Sequence, residues 1–306
     1  MIPAIIPRDR GEEGLEWLAV AAAIADGHER PRALVADSLL HHADDALLNR
    51  SAWVEGLGIA VKVATVFPGN VASGGETLGG AVVLCSDKDG QLEAVLDFHL
   101  VTKWKTAGDS LLAATRLARK DSRKILLVGA GAQARNLHDA YAAAFPEAHF
   151  TVWNRSPEGA RRFVADRPGT AIADDLQAAV AGADIISCST MARAPLVLGE
   201  WLRPGQHLDL VGAYGPGMRE VDDAALVRSR LFVDSRDTTV NHIGEIMDPI
   251  ASGAITADHI VADYYQPASF RRQTDDEITV FKNGGGAHLD LMVSRHILEV
   301  WRARHG

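Results

Sequence analysis

The spacing of hydrophobic and polar positions changes character twice along this chain. Residues 15–27 carry apolar side chains at helical spacing, which predicts a helix. Strand-like stretches follow at 46–48, 59–67, 80–86 and 92–98, the last two joined by Asp87-Lys-Asp-Gly90, a turn suited to a hairpin. A helix is predicted over 106–119: Thr106 and Asp109 have capping-box spacing, and Leu111, Leu112, Thr115 and Leu117 form its apolar stripe. Beyond Ser122 the pattern becomes strand, helix, strand. Short apolar strands at 125–128, 150–153, 171–173, 184–188, 207–212 and 231–233 are interleaved with helical segments at 132–145, 158–165, 176–181 and 224–229. The tail reads as a strand at 278–281, a Lys-Asn-Gly-Gly-Gly turn and a helix at 288–304. No internal repeat or low-complexity linker interrupts the pattern.

Fully apolar strands alternating with helices imply a parallel sheet covered on both faces. The fold class expected is therefore α/β, a Rossmann-like doubly wound sheet in residues 121–277. A smaller discontinuous α+β domain is expected from residues 1–120 and 278–306.

The chemistry starts in Lys124-Ile-Leu-Leu-Val-Gly129-Ala-Gly131-Ala-Gln-Ala134, an apolar run that ends in G-x-G-x-x-A and opens a helix. This is how a dinucleotide pyrophosphate is held. Gly129 permits the tight turn, Gly131 lets the backbone approach the phosphates, and Ala134 lets helix pack on strand. The helix start at Ala132 and Gln133 supplies free N–H groups and a partial positive charge. A second strand ends 25 residues after Gly129, in Val152-Trp153-Asn154-Arg155-Ser156. An NAD site places Asp or Glu there for the ribose 2′-hydroxyl. Asn154, Arg155 and Ser156 instead suit a 2′-phosphate, which a guanidinium grips in bidentate fashion. NADP(H) is the preferred cofactor on this reading, with NAD(H) still possible.

Composition narrows the classes. At 306 residues, with 47% hydrophobic and 23% charged content, the chain is an ordinary globular one. A formal charge of −9 argues against a nucleic-acid or anionic-membrane partner, so any anionic ligand must be met by local cations. Cys85 and Cys188 lie in apolar runs and read as buried thiols of a reduced compartment. With no convincing signal peptide and no run approaching a membrane span, the expected location is cytoplasmic. The histidines, His41-His42 included, lack metal-site spacing, so no metal is expected. Asp87-Lys-Asp-Gly90 lacks the other ligands of a calcium loop, and no G-x-S-x-G elbow suggests a hydrolase.

With both halves in view, the chain resembles the ornithine cyclodeaminase/mu-crystallin family over most of its length. The resemblance is carried in family order by Val61-Lys62-Val-Ala-Thr-Val-Phe67-Pro68-Gly69-Asn70, Trp104-Lys105-Thr106-Ala107-Gly-Asp-Ser110, the Gly129–Ala134 loop and residues 152–156. It continues in Val211-Gly-Ala-Tyr214-Gly-Pro-Gly-Met-Arg-Glu220-Val-Asp222, Val233-Asp234-Ser235 and Phe281-Lys282-Asn-Gly-Gly-Gly286-Ala-His-Leu-Asp290. The resemblance implies a homodimer, a Rossmann-like domain, and a smaller domain that binds a small amino- or imino-acid substrate and forms the dimer interface. The chemistries it implies are reduction of cyclic ketimines, cyclodeamination of ornithine or lysine with catalytic NAD, and amino-acid dehydrogenation.

The same resemblance makes Lys62 the substrate lysine. Lys105 stands where many members carry an arginine; it keeps the charge, loses the fork, and is expected at a helix N-terminus that favours an anion. A further substrate arginine is expected upstream of Lys62, either Arg32 or Arg50. Tyr214 occupies the point where cyclodeaminases place an aspartate, and a phenol with a pKa of about 10 does not replace a carboxylate base. Asp234, at a strand end, either acts on the substrate nitrogen or caps the following turn. Ser187, Ser189 and Thr190 are expected on the cofactor's ribose or amide, and Met191, Gly212 and Thr77 complete the cofactor candidates. Asp290 is expected to cap or anchor the last helix. The reading that results is an NAD(P)H-dependent reductase of small cyclic ketimines of the Δ1-pyrroline-2-carboxylate or Δ1-piperideine-2-carboxylate type. Its alternatives are an ornithine or lysine cyclodeaminase, an alanine-type dehydrogenase, and a non-catalytic NADPH-dependent ligand-binding protein.

Overall fold

A computed structural model describes residues 2–305. The chain divides into two compact units, Met1–Lys105 with Gly286–Gly306, and Thr106–Gly285.

In chain order the first unit contains β1 (Ala4–Ile6), α1 (Arg8–Gly11), α2 (Trp17–His28), β2 (Leu34–His42), β3 (Asp45–Val54), β4 (Gly58–Val66), β5 (Leu78–Cys85) and β6 (Leu92–Asp97). Its six-stranded sheet runs β1-β6-β5-β4-β3-β2, antiparallel except for the β1–β6 pair. Strand β4 alternates strictly: Ala60, Lys62 and Ala64 face inward, while Ile59, Val61 and Val63 face out. The long β2–β3 hairpin exceeds the expected strand at 46–48. Asn49, Arg50 and Ser51 interrupt the apolar pattern of β3, so the sequence signal stops short of the pairing. Cys85 is half-buried, not buried as expected.

Helix α3 (Phe98–Leu117) follows β6 directly and crosses from one unit into the other. The Asp97 carboxylate accepts the Leu100 N–H at 2.8 Å, so Asp97 caps this helix and Thr106 does not. The helix starts eight residues before the expected 106, and Lys105 lies inside it. The partial charge of a helix terminus, which fades within the first turn, therefore does not act at Lys105.

The second unit continues with β7 (Lys124–Val128), α4 (Ala132–Ala144), β8 (His149–Trp153), α5 (Pro157–Asp166), β9 (Ala171–Ile172), α6 (Leu176–Gly182), β10 (Ile185–Cys188), β11 (His207–Leu210), α7 (Asp223–Val227), β12 (Arg230–Val233), α8 (Arg236–Thr239), α9 (Gly244–Ala251), β13 (Ile260–Ala262) and β14 (Thr279–Lys282). Its eight strands are all parallel, in the order β13-β12-β14-β11-β10-β7-β8-β9. Every residue of β10, β11 and β14 is buried, as strands covered on both faces require. The order reverses between β7 and β10, and open α/β sheets bind ligands at such a switch point. Strand β14 lies between β11 and β12, and residues 278–285 belong to this unit and not to the smaller one. The unit boundaries fall at 105/106 and 285/286, against the 120/121 and 277/278 expected. The chain ends in α10 (Ala287–His305), which returns to the first unit and packs on β3 and β4. No helix among the described residues is long and apolar enough to cross a membrane.

Candidate active site

The glycine turn after β7 is built as a phosphate cradle. Gly129 has φ +109, a left-handed conformation that favours glycine, and its N–H donates to the Trp153 carbonyl at 2.8 Å. A Cβ there would meet the Ser189 carbonyl oxygen at 3.0 Å. Gly131 precedes α4, no side chain caps the helix start, and its first turn holds no acid. A Cβ at Gly131 would enter open space, the approach a pyrophosphate needs. Ala134 is fully buried where the helix meets the sheet. Arg135 braces the turn from within α4, its guanidinium donating to the Ala130 and Gly131 carbonyls at 3.0 and 3.3 Å and to Asp166.

A cavity of about 430 Å³ opens over this turn. Its walls bring together Gly129, Gly131, Asn154, Arg155, Ser156, Ser189, Thr190 and Met191, all cofactor candidates from the sequence, and also Arg193, which the sequence reading missed. Among its described lining residues there is no carboxylate. Ser156 additionally caps α5, accepting the Gly159 N–H at 3.3 Å. Ala132 and Gln133 form the first turn of α4 and are not among the lining residues.

Three of the expected cofactor residues, Ser187, Gly212 and Thr77, are not among the lining residues of this cavity. Ser187 is buried in the sheet and donates to Asp209 at 2.7 Å. Asp209 also accepts from Ser110 and Tyr141, and burial pushes its carboxyl up to about 6. Gly212 does not line the cavity. Its N–H donates to Glu220 at 2.6 Å, and a Cβ there would collide with the Thr190 backbone. Thr77 belongs to the first unit, before β5, where its carbonyl accepts the Phe67 N–H.

The loop after β10 hangs on buried Glu220. The Thr190 N–H and Oγ1 both donate to its Oε1, at 2.7 and 2.8 Å, while Leu196 N–H donates to its backbone carbonyl. Glu245 accepts the Glu220 and Val221 N–H groups. Burial and the Glu220 charge push the Glu245 carboxyl up to about 7, against the pull of buried Lys282. Glu220 falls within a segment that carries the family resemblance, whereas nothing in the sequence separates Glu245 from a surface carboxylate.

Asp234 is buried at the end of β12 and accepts from Ser235 N–H at 2.8 Å and Thr239 Oγ1 at 2.7 Å. Both bonds lie within the turn that follows the strand. Tyr214 is 67% exposed on the loop after β11.

In the first unit, Lys62 and Lys105 are each only 5% exposed, which rules out a solvated surface role for either. The Lys62 ammonium donates to Thr102 Oγ1 at 2.7 Å and to Asp290 Oδ1 at 3.0 Å, and lies 4.7 Å from the Phe98 ring centroid. Asp290 is the fourth residue of α10. It anchors that helix by this ion pair, not as a cap. Arg50 is the register partner of Lys62 on β3, so both side chains share one face, and Arg50 pairs with Asp37 at 3.0 Å. Burial alone would raise the Asp290 carboxyl. The charges of Lys62, Lys105 and Arg50 outweigh it and hold the group below its ordinary value. Burial, with Lys105, Arg50 and Arg32, pushes the neighbouring His288 imidazole down to about 3. Both arginine candidates thus bear on this cluster. Arg50 sits in the strand beside Lys62, and Arg32 lies exposed ahead of β2. The result is a cluster of cations, Lys62 and Lys105 buried and Arg50 beside them, set against the carboxylates of Asp290 and Asp37.

A switch-point sheet, a glycine turn, an uncapped helix and a cavity lined by arginines define a dinucleotide-binding α/β protein. The chain belongs to the ornithine cyclodeaminase/mu-crystallin family, which its residues 52–305 match. It is 50% identical over 294 residues to the Δ1-pyrroline-2-carboxylate reductase of Paracoccus denitrificans, covering 94% of this chain and 93% of that protein. Its fold is similar to that of Thermococcus litoralis Δ1-pyrroline-2-carboxylate reductase, solved with NADH and L-proline, at a TM-score of 0.90, 26% identity and 98% coverage of both chains. It is likewise similar to an archaeal alanine dehydrogenase dimer with bound NAD, at a TM-score of 0.91 and 25% identity, covering 100% of this chain and 98% of that one.

Proposed function

We propose that this protein reduces a small cyclic ketimine acid of the Δ1-pyrroline-2-carboxylate type with a nicotinamide cofactor. The observation that carries this reading is the likeness to the Paracoccus enzyme over nearly the whole of both chains. The buried cations of the first unit fit the substrate: Lys62 and Lys105 meet its carboxylate, with Arg50 or Arg32 adding charge. Buried ammonium groups pay no large rotamer cost on binding because Thr102 and Asp290 already hold Lys62 in place. They orient the ring and stabilise the anion beside a protonated imine.

The Gly129–Gly131 cradle, the start of α4, and Asn154, Arg155, Ser156 and Thr190 would hold the cofactor. When bound, the reduced nicotinamide supplies a hydride to the imine carbon. Arg155 and the absence of a lining carboxylate favour NADP(H). Tyr214 speaks against cyclodeamination, because it stands where cyclodeaminases place an aspartate and brings no carboxylate to that point.

We place the protein in the cytoplasm, which suits its two unpaired cysteines. A homodimer is supported by the outward face of the first sheet, where Ile59, Val61 and Val63 are half-exposed and Trp53 is exposed.

The deciding experiment follows NADPH absorbance with Δ1-pyrroline-2-carboxylate and, in parallel, ornithine. Oxidation with the imine and proline as product supports the reading. Folded protein that oxidises no cofactor at millimolar imine, or that releases ammonia from ornithine without net cofactor turnover, overturns it.

A further inference from the structure

We infer that Arg193 is a specificity-determining residue that grips, together with Arg155, the 2′-phosphate by which NADP differs from NAD. The inference rests on the NADP reading above. Arg155 lies on the turn between β8 and α5, and Arg193 sits on the loop after β10. The two approach one cavity from different elements of the sheet.

Three observations carry it. First, both guanidiniums are exposed, both line the cavity, and neither forms an ion pair among the described residues. Some other arginines of the same unit are matched to carboxylates, as Arg135 is to Asp166, Arg167 to Asp139 and Arg219 to Asp223, and others, such as Arg236 and Arg272, donate to backbone carbonyls. Glu158, three residues beyond Arg155, is taken up by Ser156 Oγ at 3.1 Å and by Arg161 at 3.4 Å.

Second, the loop that carries Arg193 is fixed on both sides of it. Thr190 is tied to the Glu220 carboxylate, the Ala192 carbonyl accepts the Arg219 N–H at 3.0 Å, and Leu196 N–H reaches the Glu220 carbonyl at 2.9 Å. A cation on a braced loop loses little freedom when it binds an anion.

Third, the charge balance calls for it. A phosphomonoester carries about −1.5 to −2 charge near neutrality, so one guanidinium leaves it under-neutralised. In a chain of net charge −9 the second cation must be local.

The test measures binding of NADP⁺ and NAD⁺ by calorimetry, without turnover, for the native protein and for Arg155→Ala, Arg193→Ala and Arg193→Lys. Thermal unfolding midpoints serve as the folding control. Native protein should bind NADP⁺ more tightly. Arg193→Ala should lower the ratio of the two affinities about tenfold or more, the size of a lost charge-assisted contact, and Arg193→Lys should restore part of it. An unchanged ratio in Arg193→Ala, or an equal loss for both nucleotides, overturns the role of Arg193. Native protein that binds the two nucleotides equally overturns the NADP reading itself, and this inference with it.

Discussion

Lys62 and Asp290 stand 228 residues apart in the chain, and the ammonium of one lies 3.0 Å from the carboxylate of the other, both buried. This pair ties the inner strand of the first sheet to the terminal helix. Removing one member of a buried ion pair leaves an uncompensated charge, at a cost of about 3–5 kcal/mol. Asp290→Asn should therefore destabilise the protein by about that much in urea unfolding. The Lys62→Met/Asp290→Asn double variant should lose less than the two single losses added together. Additive losses would mean that the two groups are not coupled.

The lysines should separate substrate binding from cofactor binding. Lys62→Met and Lys105→Met each remove a charge-assisted contact worth about 1.5–3 kcal/mol. Steady-state kinetics should show the imine KM rising by about 10- to 150-fold, with the cofactor KM much less affected. An unchanged imine KM in both variants would remove them from the substrate site.

Two glycines should respond in opposite ways. Gly212→Ala drives a Cβ into the Thr190 backbone and should lower the thermal midpoint sharply. Gly131→Ala meets no neighbouring atom and should fold normally, yet weaken cofactor binding, because the added methyl enters the phosphate approach. Calorimetry and a melting curve on the two variants check both statements.

Glu245 should leave its mark on the pH dependence of stability. Its carboxyl, ordinarily near 4.5, is pushed up to about 7 in the folded protein by burial and by Glu220. The folded state holds this proton more tightly than the unfolded chain does. The stability it contributes is therefore complete below about 4.5 and is lost as pH rises through about 7. His207 and His288, both pushed down to about 3, act in the opposite sense, favouring the folded state as pH rises. A comparison of Glu245→Gln with the native protein isolates the carboxyl. The stability difference between them should shift in favour of the variant between pH 4.5 and 7, measured as urea midpoints. A difference that stays constant with pH would refute this.

The outward face of the first sheet should hold two copies together. Val61→Glu places a charge on that half-exposed apolar face, and sedimentation should then report a monomer where the native protein gives a dimer. A native monomer would refute the interface.

The alternation of strand and helix from Lys124 onward was legible because strands buried on both faces are written as uninterrupted apolar runs. Gly129, Asn154 and Arg155 were legible for the same reason, since each sits where such a run ends. The β2–β3 hairpin was not, because polar residues at 49–51 break the pattern on a strand whose inner face carries Arg50. Thr106 imitated a helix cap by its spacing to Asp109, whereas the true cap, Asp97, closes a strand and opens a helix at once. The role of Glu220 and Glu245 as buried acceptors was not legible, because it comes from the N–H groups that fold around them. Arg193 escaped notice because loop geometry, not periodicity, brings it to the cavity.

The position of β14 bears on how the molecule is made. Strand β14 lies between β11 and β12 and follows both in the chain, so a chain cut ahead of residue 279 lacks the strand that pairs with the two of them. Each would then offer a row of unpaired backbone groups to any passing extended chain. Truncation ahead of this strand should therefore turn the protein toward aggregation.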